Sequence, residues 1–214
     1  GKVKVHTDRN FRIFKKMENE GVEFSPRDMY YYANELMDNG QYAKAIDEYK
    51  RFIATKQGWI EDVKGAYFRI INCYKILNKT ENILDIVFEA FKIDVPMAEI
   101  VCSLAEYFFE KNNFNQAAFW YKTALNCIPN KDNPSLSNIA YYSWIPSLQL
   151  CVCYYNLGKI NCAYFFNELT ANFVGESDKV IYNRKLFDDI YENLNMKKPN
   201  LKYPLRADDY INYL

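Results

Sequence analysis

The sequence predicts an all-α fold in which a helix–turn–helix unit is repeated four times. The units have their turns at Gly40, Asn78, Asn112 and Gly158. Two spacings recur around these turns. A large residue precedes each turn by four positions, and a small or aliphatic residue precedes it by seven. The large residues are Leu36, Tyr74, Phe108 and Tyr154, and the others are Ala33, Ile71, Ala105 and Cys151. Residues at such spacings share one helix face, and one hairpin cannot bury both of its faces, so stacking into a solenoid is expected.

Composition is the third observation that favours this fold class. Of the 214 residues, 50% are hydrophobic and 17% aromatic, which supplies ample material for a packed core. The 27 Lys+Arg balance the 27 Asp+Glu, so no excess charge is present to bind nucleic acid or an anionic membrane. We find no apolar run near the roughly 20 residues that span a bilayer, and no signal-peptide core at the amino end. A cytoplasmic location is therefore expected.

The first 24 residues are predicted to be the end of a preceding domain followed by a leading helix. Residues 2–6 alternate polar and apolar, which is typical of a strand. Thr7 is a candidate helix cap, Phe11, Phe14 and Met17 share one face, and Gly21 ends the helix.

Residues 25–195 are predicted to form the repeat domain. Ser25-Pro26-Arg27-Asp28 begins it with an N-cap, a first-turn proline and an approximate capping box. The four repeats cover about 26–57, 60–94, 97–128 and 144–173, with a loop at 130–143 and a capping helix at about 178–195. The tail, 196–214, has no periodicity but keeps several apolar residues, so we expect an irregular segment that lies along the helices.

The six cysteines do not form a metal-binding pattern. Only Cys151 and Cys153 are close in sequence, and two residues apart on a helix they point in nearly opposite directions. Buried reduced thiols are the favoured interpretation, with a disulfide or a metal site as the alternatives.

Position by position, the repeat resembles the tetratricopeptide repeat. Asn78 and Asn112 lie 34 residues apart, which is the period of that family. The resemblance implies a right-handed tetratricopeptide-like helical solenoid with a concave face formed by the first helix of each hairpin. It also implies that Asn34 and Asn72 hydrogen-bond the backbone of a bound peptide. The candidate ligand-binding residues on that face are Tyr30, Asn34, Phe68, Asn72, Lys75, Glu106, Phe109 and Tyr155. The alternative is that their aromatic members only pack one repeat against the next.

The segments that join the repeats resemble the helical region that follows the catalytic domain in bacterial family 2 glycosyltransferases. The phrases that carry this resemblance are Asp8-Arg9-Asn10-Phe11, Gly58-Trp59-Ile60-Glu61-Asp62 and Trp144-Ile145-Pro146. In that family the Arg-Asn-aromatic phrase follows the last catalytic strand. Residues 2–6 would then be the remainder of that strand, and a catalytic domain would precede residue 1.

Catalytic motifs are not found in this sequence. The resemblance implies an Asp-x-Asp motif in the catalytic domain, but here only the adjacent pairs Asp188-Asp189 and Asp208-Asp209 occur. No glycine-rich phosphate loop is present, and the single histidine, His6, cannot support a triad securely. We therefore expect no enzymatic activity, no catalytic residue, no metal and no cofactor in this chain.

The sequence therefore indicates a non-catalytic module at the carboxyl-terminal end of a family 2-like glycosyltransferase. Its expected partners are a protein or peptide, which includes a glycosylation acceptor, and the adjacent catalytic domain. A homodimer is also compatible with its apolar positions. The alternative function is a stand-alone tetratricopeptide adaptor or dimerisation domain.

Overall fold

A computed structural model describes residues 9–131, 133 and 136–214. This part of the chain is helical and contains no strand, which confirms the all-α fold class. The strand predicted at 2–6, Thr7 and His6 lie outside the described residues, as do Pro134 and Ser135 of the predicted loop.

Ten α-helices follow one another along the chain. They are α1 (Arg9–Asn19), α2 (Pro26–Asp38), α3 (Tyr42–Ala54), α4 (Ile60–Ile76), α5 (Ile83–Phe91), α6 (Ala98–Glu110), α7 (Phe114–Leu125), α8 (Trp144–Asn156), α9 (Ile160–Val174) and α10 (Asp178–Asn193). Short 3-10 helices cover Thr80–Asn82, Ile139–Tyr142 and Ala207–Tyr213. The predicted leading helix, four hairpins and capping helix all correspond to observed helices. The tail differs from the prediction, because part of it forms the last 3-10 helix.

The four predicted turns have one common backbone geometry. Gly40, Asn78, Asn112 and Gly158 all have positive φ, between 55° and 74°. At the first turn, Gly40 donates its N–H to Met37 at 3.0 Å, and Gln41 donates to Leu36 at 2.8 Å. The same pair of bonds recurs at the other three turns, where the outer acceptors are Tyr74, Phe108 and Tyr154. This is the Schellman motif, which favours glycine or asparagine because only these residues enter the left-handed region at low cost.

The capping box predicted at the start of α2 is also present. The Asp28 N–H donates to Ser25 Oγ at 3.2 Å, and the Ser25 N–H donates to Asp28 Oδ2 at 3.2 Å. Two amide groups that the helix leaves unpaired are thereby satisfied.

The helices divide into two compact units, residues 1–93 and 94–214. The boundary falls inside the predicted repeat domain, between the second and third hairpins. In the first unit, α1 packs on α2, and α2 to α5 pack in sequence order. Its core includes Ala33 and Ala45, which are fully buried between larger residues such as Leu36 and Phe52. Small residues at these positions let paired helices approach closely.

In the second unit, α6 to α10 pack in the same sequential manner. Ala105 and Ala117 are fully buried, as are the large side chains Phe165 and Phe166 of α9. The capping helix α10 is held by Arg184, whose guanidinium makes two 2.8 Å bonds to the buried carboxylate of Glu168.

The tail lies on the second unit, as the sequence predicted. Tyr210 packs against Tyr154 and Phe166, with ring centroids 5.7 and 5.6 Å apart, and accepts a 2.8 Å hydrogen bond from Lys122. The loop before α8 is also packed, because its 3-10 helix contacts α6, α7 and α8.

All six cysteines are free thiols, and five of them are buried. Burial raises the pKa of Cys73 to about 11 and that of Cys153 to about 12, so both remain protonated at neutral pH. The predicted burial is observed for five of the cysteines, whereas Cys127 is only half-buried. In the described part of the chain, no helix is both long enough and apolar enough to cross a bilayer.

Candidate functional site

Tyr30, the first candidate residue, lies in the packed interior of the first unit. Its side chain is 9% exposed, and its ring packs against Tyr49 and Phe52 with centroids 6.2 and 5.2 Å apart. Its hydroxyl reaches Gly65 of α4, where an added Cβ would lie 2.9 Å from the hydroxyl oxygen. Tyr30 therefore packs α2 against α3 and α4. This agrees with the alternative interpretation, in which the aromatic candidates pack one repeat against the next.

Asn34 also makes its contacts within the interior of the first unit. Its Oδ1 accepts a 2.7 Å hydrogen bond from the hydroxyl of Tyr49, which is fully buried. Burial raises the pKa of Tyr30, while the nearby Arg69 guanidinium and a hydrogen bond with Asn34 oppose the rise. The Asn34 amide therefore interacts with two tyrosines of its own unit.

The remaining candidates of the first unit are Phe68, Asn72 and Lys75, and all three lie half-buried on α4. They occupy three successive turns of one helix face. They are nevertheless absent from the linings of the clefts described below.

The second unit contains an open cleft that includes two of the residues predicted for the groove. Its volume is about 390 Å³, which lies within the range of ligand sites. The helices α6, α7 and α8 and the 3-10 helix Ile139–Tyr142 form its walls. The lining residues are Cys102, Glu106, Phe109, Glu110, Tyr121, Tyr141, Ile145 and Gln149.

The electrostatics of this cleft are acidic. Glu106 and Glu110 lie one helical turn apart on α6, so their carboxylates share a face. Burial raises the pKa of Tyr121, and the charge of Glu106 raises it further. Burial has the same effect on the pKa of Tyr141. Both hydroxyls therefore stay protonated at neutral pH, and Glu106 and Glu110 are the acidic side chains of the lining.

The structure brings together two of the predicted residues of the second unit and separates the third. Glu106 and Phe109 line the cleft, whereas Tyr155 lies exposed near the end of α8, outside it. From α8 the cleft instead receives Ile145 and Gln149, which lie closer to the start of that helix.

Sequence reasoning missed Glu110, Tyr121 and Tyr141. The spacing of four from Glu106 was a signal for Glu110. Tyr121 occupies a core position of the repeat, and Tyr141 lies in a segment without periodicity, so no comparable signal existed for them.

In the described part of the chain, no group of three His, Cys, Asp or Glu side chains is placed to hold a metal ion. Asp188 and Asp189 are exposed on α10, where the sequence predicted solvated charges.

No protein-family model matches the sequence, and no curated protein and no solved structure is significantly similar to the chain.

Proposed function

We propose that this chain is a non-catalytic interaction module, a right-handed tetratricopeptide-like solenoid that binds a protein segment in the cleft of its second unit. The observation that supports this most directly is the open cleft lined by Glu106, Glu110 and aromatic side chains. Helical repeats present such surfaces to extended or helical peptides.

The chemistry of the lining favours a basic residue flanked by apolar ones. A Lys or Arg side chain would pair with the carboxylates of Glu106 and Glu110, and its methylene groups would pack on Phe109. The side chains of Tyr121 and Tyr141 supply further aromatic surface in the lining. An acidic segment would meet two like charges, so the cleft also discriminates against such partners.

Selection of displayed random peptides on the immobilised full chain tests this proposal. We expect enrichment of sequences with Lys or Arg beside an apolar residue. The double variant Glu106→Gln, Glu110→Gln should bind a selected peptide roughly tenfold more weakly, because each partly exposed ion pair contributes up to about 1 kcal/mol. Binding should also weaken between low and high salt, since screening is strong at 1 M.

A matched control is available on α10, where Asp189 and Glu192 are exposed. The variant Asp189→Asn, Glu192→Gln removes the same charge and should leave peptide affinity unchanged. Equal loss in both variants would show that only net charge matters. If the selected peptides contained no enrichment of Lys or Arg, the proposed chemistry of the cleft would be refuted.

We further propose, on the strength of the Arg9-Asn10-Phe11 and Gly58-Trp59 phrases, that this module works beside a family 2-like glycosyltransferase domain. The bound segment would then belong to the glycosylation acceptor or to a partner of that enzyme. The reading frame upstream of residue 1 tests this directly. An Asp-x-Asp motif near a strand end would support it, and a start codon at Lys2 would leave the adaptor alternative.

A further inference from the structure

A second cleft lies in the first unit, where α2 begins and α3 connects to α4. Its volume is about 440 Å³. The fully buried ring of Phe52 forms part of its lining, next to Gly58. A Cβ added to Gly58 would lie 2.4 Å from that ring, so only glycine permits this approach of the connection to Phe52.

Two large aromatic side chains line this cleft while remaining open to solvent. Trp59 is 54% exposed and Tyr31 is 43% exposed. The Arg27 guanidinium lies over the Tyr31 ring, 5.6 Å from its centroid. Aromatic side chains left exposed beside charged groups in a concave site are typical of ligand contact rather than of core packing.

The polar groups of the cleft are a guanidinium, a carboxylate and an amide, contributed by Arg27, Asp62 and Gln57. Arg27 lies close enough to Asp62 to oppose the rise in pKa that burial causes in that carboxyl group. The guanidinium donates hydrogen bonds, the carboxylate accepts them, and the amide does both. The cleft thus combines aromatic faces with donors and acceptors of planar, bidentate geometry.

We propose that this cleft binds a neutral pyranose residue of a glycan, with one face of the sugar on Trp59 and its hydroxyl groups on Arg27 and Asp62. The C–H bonds on a pyranose face are weakly positive and pack on the negative face of an aromatic ring. Neighbouring ring hydroxyls match the paired atoms of a guanidinium or carboxylate. This site is separate from the acidic cleft and extends the function proposed above to a second class of ligand.

A proline-rich peptide is the competing ligand, because such peptides also bind aromatic grooves. The cleft favours the sugar since ring hydroxyls both donate and accept, whereas a polyproline helix offers carbonyl acceptors to Arg27 and Gln57 but no N–H donor to the carboxylate of Asp62.

Saturation-transfer difference NMR on the full chain tests the proposal, with methyl glycosides of glucose, galactose, mannose and N-acetylglucosamine as probes. We expect saturable binding of at least one probe in the millimolar range. Trp59→Ala should weaken it at least tenfold, while Trp59→Phe, which keeps an aromatic face, should weaken it about threefold. Asp62→Asn should also weaken it, because the amide has one acceptor oxygen in place of two.

Two controls make the result specific. Phe119 in the second unit is as exposed as Trp59, at 54%, so Phe119→Ala should leave sugar binding unchanged. Sorbitol has hydroxyl groups but no rigid ring face, so it should give no saturable signal.

Several outcomes would overturn the proposal. They are the absence of saturable binding for every pyranoside, equal binding by Trp59→Ala and the parent chain, and equal signals from sorbitol and the pyranosides. Binding of a decaproline peptide through Trp59 without any sugar binding would assign the cleft to a peptide instead. Because Trp59 is exposed, both of its variants should melt within a few degrees of the parent chain, which separates lost binding from lost folding.

Discussion

Replacement of Asn34 with alanine decides whether this residue stabilises the fold or is available to a ligand. The structure places its Oδ1 2.7 Å from the hydroxyl of Tyr49, whose side chain is fully buried. Asn34→Ala leaves that hydroxyl without this acceptor. A buried donor that loses its partner costs about 1–3 kcal/mol, so the first unit should be destabilised by that amount.

Tyr49→Phe gives the matched measurement. It removes the hydroxyl and leaves Asn34, which is half-buried, with access to water. The expected loss is smaller, about 0.5–1.5 kcal/mol. Because both changes remove the same hydrogen bond, the double variant should cost less than the sum, with a coupling of about 1 kcal/mol.

Amide hydrogen exchange in α2, α3 and α4 is the appropriate assay, since it reports on the first unit separately from the second. Urea denaturation followed by circular dichroism gives an independent value. If the two substitutions are additive within about 0.3 kcal/mol, the hydrogen bond does not stabilise the fold and the reasoning is refuted. If, in addition, Asn34→Ala costs nothing and abolishes partner binding, the tetratricopeptide-based role of Asn34 is correct.

The remaining predictions concern the turns and the capping helix. Gly40→Ala and Gly158→Ala should each cost about 1 kcal/mol in urea denaturation. Both glycines have φ above 70°, and nothing lies within 4 Å of an added Cβ, so the cost is backbone strain alone. If Gly40→Ala and Gly158→Ala left stability unchanged, the Schellman assignment would be contradicted. Asn112 also has positive φ, 56°, so Asn112→Gly should change stability by less than about 0.5 kcal/mol. Glu168→Gln should destabilise α10 by about 1–3 kcal/mol, less than for a fully buried pair because the Arg184 side chain is 31% exposed. A thermal melt identical to that of the parent chain would show that this ion pair contributes nothing.

The fold was largely predictable because its signals are local. The turn spacing required residues that tolerate the left-handed backbone conformation at fixed positions. The chain has Gly40, Asn78, Asn112 and Gly158 there, and all four have positive φ. Helix bounds followed from the same periodicity. The exception is the segment before α8, where a 3-10 helix forms through contacts with α6, α7 and α8 that no local pattern encodes.

The candidate site was less predictable because it depends on packing between helices. Periodicity placed Tyr30 and Glu106 on equivalent faces, but it could not show that the Tyr30 ring would reach Phe52 and fill its space. It also could not place Tyr141 in the same cleft as Glu106, since that arrangement follows from the tertiary position of the loop. Trp59 stands at the start of a helix, as the sequence also indicated, but periodicity assigned its side chain to no helix face.

Residue size explains why the groove position that Tyr30 fills in the first unit is open in the second. Tyr30 and Cys102 both precede the turn of their hairpin by ten positions, so they occupy the same place on α2 and α6. Tyr30 extends across its unit to Gly65, and its ring covers Phe52. The thiol of Cys102 is several atoms shorter and stops 3.7 Å from the Tyr141 carbonyl oxygen, where the cleft begins. At this position of the repeat, tyrosine fills the space next to α4 in the first unit, whereas the shorter cysteine leaves room for the cleft beside Tyr141 in the second.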